Sequence, residues 1–362
     1  LGGYCLTELT DVPHELNGIL DLNRRPKRIA VEEVKRGNQG VLPILTLDSL
    51  VVIAGRSLLA TVHISNDGPQ LEDLQLEVWF GDAPGPVRTS RFEIPLLQAN
   101  RATKVGEVML PAPLVPGGHD LIVSLRRGAH LVSQNRYPVH VVEEPHASGP
   151  FRVLGHGQLR AAFEEIGAVE ADAGPTVVEE GQLDLNIRDI IGDRLASGEV
   201  VVVLAQPEAA AASYPLQVEL TRLETAWGSS IFRFTTDEGW IPSLPRRNVL
   251  VAEDSTIHAM TVISRIEGQR FPSTPLAIAY KPAPSALTGT LIGAHKVGPG
   301  LLILCQYRLA ERASYGDPAA KAVLADLLRW AMDPTPALIQ EHIRKDDGRS
   351  LTYFWVASRE VH

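Results

Sequence analysis

The chain reads as a multidomain protein that mixes α and β. A strand–loop–helix unit comes first, then an antiparallel β-sandwich, then an open α/β sheet in three layers. Three observations predict this. Leu1 to Lys27 holds a short apolar strand, a polar exit and the approach to a helical register. From Leu42 to about Val142, apolar and polar residues alternate at period two between regular turns, with no helical register. From Phe151 onward, strand-length apolar runs alternate with helix-length amphipathic ones. A length of 362 residues suits two or three domains. The boundaries fall at 1–40, 41–145 and 146–335, with a tail over 336–362.

Composition narrows the function classes. At 44% hydrophobic and 21% charged, the chain is an ordinary globular one. A net charge of −9 argues against a nucleic-acid surface. The longest apolar stretches, Val200 to Ala205 and Leu301 to Cys305, are far short of a membrane span. The two cysteines, Cys5 and Cys305, provide neither metal-ligand spacing nor a disulfide framework, and both read as small buried hydrophobes. No metal and no cofactor is implied.

In the first unit, Gly2 to Thr7 reads as a buried strand and Glu8 to Asp11 as the polar turn at its exit. Asn17-Gly18 makes a tight turn, because both residues tolerate positive φ. Arg24, Arg25, Pro26 and Lys27 lead into a helical register from Ile29 to Lys35. A lone βα unit cannot cover its own strand, so partner strands are required.

The pattern G-Y-C-L-T-E-L-T-D-V…E-L-N-G-I-L-D…R-R-P-K resembles the last strand and loop of the catalytic TIM barrel in glycoside hydrolase family 2. That family includes β-galactosidases, β-glucuronidases and β-mannosidases. The matching positions are Gly3, Tyr4, Thr7, Glu8, Leu9, Thr10, Asp11, Glu15, Asn17, Gly18, Arg25, Pro26 and Lys27, about a tenth of the chain. The resemblance implies a retaining β-glycosidase reaction, whose two carboxylates sit roughly 5 Å apart at the C-terminal face of the barrel. The family carries that glutamate pair on earlier strands, so it is expected upstream of Leu1, and no catalytic residue is assigned here. The compartment, cytoplasmic or secreted, stays open for the same reason. Tyr4, Thr7, Glu8 and Asp11 are the expected sugar-lining residues. Related barrels place an aromatic platform near here, where this chain has Leu6 and Thr7. The structural alternative is that Asp11 braces the loop and Glu8 pairs with Arg24 or Arg25. The implied partner is a carbohydrate, reached through the parent barrel. Self-association through Tyr4, Leu6 and Leu9 would cover an otherwise bare strand.

In the second unit, Val51 to Ile53 and Leu58 to Ile64 read as strands separated by Gly55-Arg56-Ser57. Asn66-Asp67-Gly68-Pro69 is a turn cluster. Leu74, Leu76, Val78 and Phe80 alternate with Gln75, Glu77 and Trp79. Pro84-Gly85-Pro86 breaks the run. Strands follow at Phe92 to Leu96, Val105 to Leu110, Leu121 to Leu125 and Tyr137 to Val141, with a turn at Pro116 to His119. About seven short strands with regular turns predict an immunoglobulin-like sandwich, without the Cys–Trp–Cys set of antibody domains.

In the third unit, Arg152 to Leu154 is a strand, Gly155-His156-Gly157 a turn, and Leu159 to Ile166 a helix ended by Gly167. Val200 to Leu204 is a β-branched run suited to a buried parallel strand. Leu216 to Ala226 is amphipathic. Strands follow at Val249 to Ala252, Leu276 to Tyr280, Thr290 to Lys296 and Leu301 to Gln306, the last two joined through Gly298-Pro299-Gly300. Asp317-Pro318 starts a helix that runs to Met332, with proline in its first turn. The segment G-P-G-L-L-I-L-C-Q-Y-R-L…D-P-A-A…L-L-R-W-A resembles the flavodoxin-like, glutamine-amidotransferase-like module found at the C-terminal end of several glycosidases. Such an amidotransferase needs a Cys at a sharp strand-to-helix turn. Here Ala205-Gln206-Pro207 follows the expected strand and Cys305 lies inside another, so the module is expected to lack that activity. Tyr353, Phe354 and Trp355 in the tail suit packing on a neighbouring domain.

Three further groups are weighed. Gly155-His156-Gly157 has the glycines of a phosphate turn, a weak signal. His140, Glu143, Glu144 and His146 have metal-ligand side chains but lie in a linker, where solvation is the simpler reading. Glu253-Asp254-Ser255 follows a strand at the ligand edge of an open sheet, where a helix N-cap is the simpler reading. A rival to the glycosidase reading is a carbohydrate-binding or assembly region without catalysis.

Overall fold

The computed structural model describes residues 8–13, 18–81, 90–222, 232–235, 243, 259, 261–269, 272–281 and 287–334. The expected strand at Gly2 to Thr7 lies outside these residues. So do Glu15, Asn17, Pro84-Gly85-Pro86, Val249 to Ser255 and the aromatics Tyr353 to Trp355. The chain divides into two compact units, Leu1–Val141 and Val142–His362. The segment expected to stand apart as 1–40 therefore groups with the sandwich. One reason is visible at Gln39, whose Nε2 donates to Gln134 O at 2.8 Å.

In the first unit, α1 covers Arg28–Gly37, as the register from Ile29 predicts. Lys35 and Arg36 stand in its last turn, where cations complement the exposed carbonyls. Eight strands follow: β1 Val41–Leu47, β2 Val51–Ile53, β3 Ser57–Asn66, β4 Leu71–Phe80, β5 Ser90–Leu97, β6 Arg101–Pro111, β7 Gly117–Arg127 and β8 His130–Val142. They form two sheets, β1-β3-β6 and β2-β8-β7-β4-β5. Alternation puts Leu58, Ala60, Val62 and Ile64 of β3 into one core with Leu74, Leu76, Val78 and Phe80 of β4 and Leu121, Val123 and Leu125 of β7. Each of the larger side chains contributes about 1.5–3 kcal/mol of apolar burial.

The strand β1 does not stand out in the sequence because Pro43 interrupts it. The proline is accommodated because β1 is at a sheet edge, where one missing N–H disturbs no second ladder. The turn cluster after β3 is built on Asn66. Its Oδ1 accepts from Gly68 N at 3.0 Å, and its Nδ2 donates to Pro69 O at 2.9 Å and Gln98 O at 3.0 Å.

The second unit begins with β9 Pro150–Leu154, α2 Gln158–Ile166, β10 Val169–Glu170, β11 Thr176–Val178, α3 Leu185–Ala196 and β12 Val200–Val203. A 3₁₀ turn follows at Glu208–Ser213, then β13 Val218–Arg222, β14 Phe232–Thr235, β15 Thr261–Ile266, β16 Thr274–Lys281, β17 Leu287–Val297 and β18 Gly300–Cys305. The last helices are α4 Leu309–Ser314 and α5 Pro318–Met332. Five strands, β10-β9-β11-β12-β18, pair in parallel. Counted along the chain, their spatial order is 2-1-3-4-5, a doubly wound order. Val201, Val203, Leu302 and Leu304 face the α3 side with Ile191 and Leu195. Helices α2, α4 and α5 pack together, and α5 also meets β12.

The sheet does not end there, as a purely parallel reading would have it. β17 turns back antiparallel on β18 through the Val297–Gly300 hairpin, and β16, β15 and β13 extend the antiparallel part. β17 has neighbours along both edges. Ala294 pairs with Ile303 on one side and Thr274 on the other, and Thr290 pairs with Ile278 and Ile263. The amphipathic run from Leu216 is not a helix in its described part. It is β13, where Val218 and Leu220 are buried and Glu219 is exposed, the period of a strand.

Candidate functional site

In an open parallel sheet of this order, ligands bind beyond the carboxyl ends of the strands, where neighbouring connections diverge. Here that place is the pair of loops after β9 and β11. The first is Gly155-His156-Gly157, the entry to α2. The second begins Glu179-Glu180-Gly181.

The crevice holds an anion supplied by the chain. Glu179 is 3% exposed. Its Oε2 accepts from Gly157 N at 2.9 Å and its Oε1 accepts from Leu159 N at 2.6 Å. These are N-terminal amides of α2, the position a phosphate takes in nucleotide-binding sheets. The carboxylate gains from charge-assisted bonds and from the positive end of the helix. It also accounts for the glycines. A Cβ on Gly155 would lie 2.4 Å from Glu179 Oε2, and Gly157 has φ +110. So Gly155-His156-Gly157 has the geometry of an anion-binding turn, but the anion is a side chain from the loop after the neighbouring strand β11.

Beside it lies a buried polar layer at the ends of β12 and β18. Gln206 Nε2 donates to Glu179 O at 2.8 Å and Leu204 O at 2.9 Å, and its Oε1 accepts from Leu183 N at 3.1 Å. Gln306 Oε1 accepts from Gln206 N at 3.3 Å, and its Nε2 is 3.5 Å from the Tyr214 hydroxyl. The Thr261 hydroxyl is shared between Gln206 O at 2.9 Å and Gln306 Oε1 at 2.8 Å. Gln206 thus closes the end of β12 as a brace, with its amide nitrogen and oxygen both hydrogen-bonded.

Cys305 is buried, and burial pushes its thiol pKa up. A protonated, enclosed thiol is a poor nucleophile. Glu180 accepts from Ala310 N at 2.7 Å. Burial raises its carboxyl above the ordinary value, opposed by that bond and by Arg308. These residues carry a legible but faint signal: two carboxylates between a β-branched pair and a glycine, and a glutamine after a four-valine run.

The sequence-predicted sugar residues fall in the first unit. Tyr4 and Thr7 lie outside the described residues, and Glu8 is half-buried. Asp11 is buried and works as a hub. Its Oδ1 accepts from Gly18 N at 3.0 Å and from Lys27 Nζ at 2.5 Å. Asp11 N donates to Leu20 O at 2.9 Å, closing the loop. A Cβ on Gly18 would lie 2.5 Å from Asp11 N, so only glycine fits. The alternative weighed for Asp11, a brace of its loop, is the arrangement observed.

An open groove of about 550 Å³ is lined by Arg188, Asp189, Asp193 and Tyr214 to Gln217. Arg188 and Asp189 pair at 3.0 Å within it. Among the described residues, no three His, Cys, Asp or Glu side chains gather as a metal site. No described helix is long and apolar enough to cross a membrane.

No protein-family model and no curated protein sequence matches the chain. Solved structures give distant likenesses. A CARDB domain from Pyrococcus furiosus, solved in complex with di-metal ions, is 13% identical over 28% of this chain and 87% of its own, with a TM-score of 0.23. AvmM, which catalyses macrocyclization in alchivemycin A biosynthesis, is 8% identical over 30% of this chain and 93% of its own, with a TM-score of 0.24.

Proposed function

We propose that this chain is the C-terminal accessory region of a retaining β-glycoside hydrolase similar to family 2. In this reading residues 1–40 are the terminal βα unit of the catalytic TIM barrel. An immunoglobulin-like sandwich and a flavodoxin-like, amidotransferase-like module follow. Tyr4, Thr7 and Glu8 line the sugar pocket, in the loop that Asp11 braces. The glutamate pair of the reaction belongs to earlier barrel strands.

One observation supports the reading most. Asp11, Gly18 and Lys27 are spread over 17 positions of the resembling motif, yet they meet at one buried carboxylate. Motif positions that converge in space form a structural unit rather than a chance string of letters. For the third domain, the filled crevice supports an assembly role over ligand binding, because Glu179 occupies the anion position. Leu9 and Leu22 are exposed in the first unit, which suits a covering partner such as the rest of a barrel or a second copy.

The test compares this chain with the full product of its gene on aryl β-glycosides. The full product should hydrolyse them with retention at the anomeric carbon, and this chain alone should not. Turnover by this chain alone that vanishes in Glu8→Gln would overturn the proposal and make Glu8 a catalytic group.

A further inference from the structure

A second constellation lies toward the start of β18, away from the crevice beyond its end. His295 of β17 is buried, and its cross-strand neighbour is Ser273, one step before the Thr274–Ala294 pair. Ser273 N lies 3.2 Å from His295 Nδ1, and Ser273 Oγ lies 3.3 Å from the same nitrogen. On the other side of the ring, Nε2 is 3.1 Å from Glu267 Oε2.

These contacts fix the tautomer. A backbone N–H only donates, so Nδ1 is an acceptor and the ring proton sits on Nε2, facing the carboxylate. The Ser273 oxygen in turn accepts from Lys296 N at 3.4 Å, which directs its own proton to Nδ1. Glu267 is held in place at some conformational expense. It has φ +47 in a two-residue hairpin loop with Gly268, a position that favours Asn or Gly. Strained residues at such positions recur where a side chain has a task.

We propose that Ser273, His295 and Glu267 form a serine-nucleophile relay that accepts small activated acyl esters. Ser273 Oγ bonds to the acyl carbon while its proton passes to His295 Nδ1, and Glu267 stabilises the imidazolium. Once Nδ1 is protonated, the Ser273 N–H is released from it. That N–H and the Lys296 N–H are then the two backbone donors beside the new oxyanion. The C–O bond to the alcohol breaks, and the alcohol leaves with the proton from His295. Water then repeats the sequence on the acyl-serine, with His295 again taking a proton, and a carboxylic acid is released. Ser273 and His295 are the catalytic residues, and Glu267 is a positioning residue. The site is shallow, since Ser273 is half-buried and Glu267 exposed, which suits acyl groups presented at a surface. The proposal does not depend on the glycosidase reading.

The test treats the folded chain with an alkyl fluorophosphonate. The Oγ–P bond forms, the P–F bond breaks, fluoride leaves, and the serine proton passes to His295. Peptide mapping should place the adduct on Ser273, and Ser273→Ala should abolish it. Glu267→Gln, a change at an exposed side chain that leaves the fold intact by circular dichroism, should slow labelling at least about tenfold. Absence of an adduct at Ser273, or a rate unchanged in Glu267→Gln, overturns the proposal and leaves His295 as a brace for the start of β16.

Discussion

The two units solve the same problem in opposite ways. The sandwich fills the space between its sheets with alternating aliphatic side chains and ties its turn at Asn66 with side-chain hydrogen bonds. The α/β unit also has an apolar core, but a layer of buried amides and carboxylates lies across the end of its sheet. The difference teaches where each unit's specificity comes from. Dispersion and burial are non-directional, so the sandwich takes its register from the period-two pattern. Hydrogen bonds are directional, so the α/β unit fixes its loops by satisfying each partner.

The comparison sharpens first at the cores. Leu76→Ala should destabilise the sandwich by about 2–5 kcal/mol in urea unfolding, through a cavity between its sheets. In the other unit, Glu179→Ala should cost about 3 kcal/mol although it removes no apolar core side chain, because two helix amides lose a charged acceptor. If Glu179→Ala proves neutral, the crevice is not held by its carboxylate and the contrast fails.

A smaller effect tests the network character. A double-mutant cycle of Gln206→Ala and Gln306→Ala should return a coupling of about 0.5–3 kcal/mol, since each side chain serves the other's neighbourhood. Additive losses would make the polar layer a set of independent bonds.

The pH dependence should run in opposite directions. Burial, reinforced by nearby His119, lowers the His140 pKa of the sandwich below its ordinary 6.5. Between the folded value and 6.5 the unfolded chain binds the extra proton, so this group favours folding more as pH rises toward 6.5. Burial raises Glu180 and Asp326 above 4.5 and 3.8 respectively. There the folded chain holds the extra proton, so stability falls as pH rises from those values through the folded ones. Unfolding midpoints of each unit between pH 4 and 7 decide whether the slopes differ in sign. The smallest effect is at Cys305, where a thiol reagent should label the folded chain negligibly and the urea-unfolded chain fully.

The sandwich was largely legible because its alternation is a local signal. β4 and β7 follow the leucine and valine spacing directly, whereas β1 was obscured by Pro43. In the α/β unit, α5 was readable from Asp317-Pro318, and Asp317 Oδ1 accepts from Ala320 N at 3.0 Å as a cap should. α3 was not, since few of its side chains are buried and its apolar face is weak. β11 has only three residues, too short for any period. Of the crevice, the glycines of its turn and the glutamine after β12 were visible in the sequence, but their partners were not. Glu179 meets Leu159 across 20 positions and Gln206 meets Gln306 across 100, and such pairings exist only once the sheet order is set.

β17 has a kinetic consequence. A strand paired along one edge can peel away by breaking a single ladder, as β10 can from β9. β17 is laced to β18 on one side and β16 on the other through the same central residues, so its release requires two ladders to part together. Local opening in the second unit must therefore proceed inward from its margins, and the amides of Ile292 to Ala294 should be among the last to exchange with deuterated water. Their exchange rate then reports opening of the whole unit and serves as an internal clock against which every looser segment of the sheet can be timed.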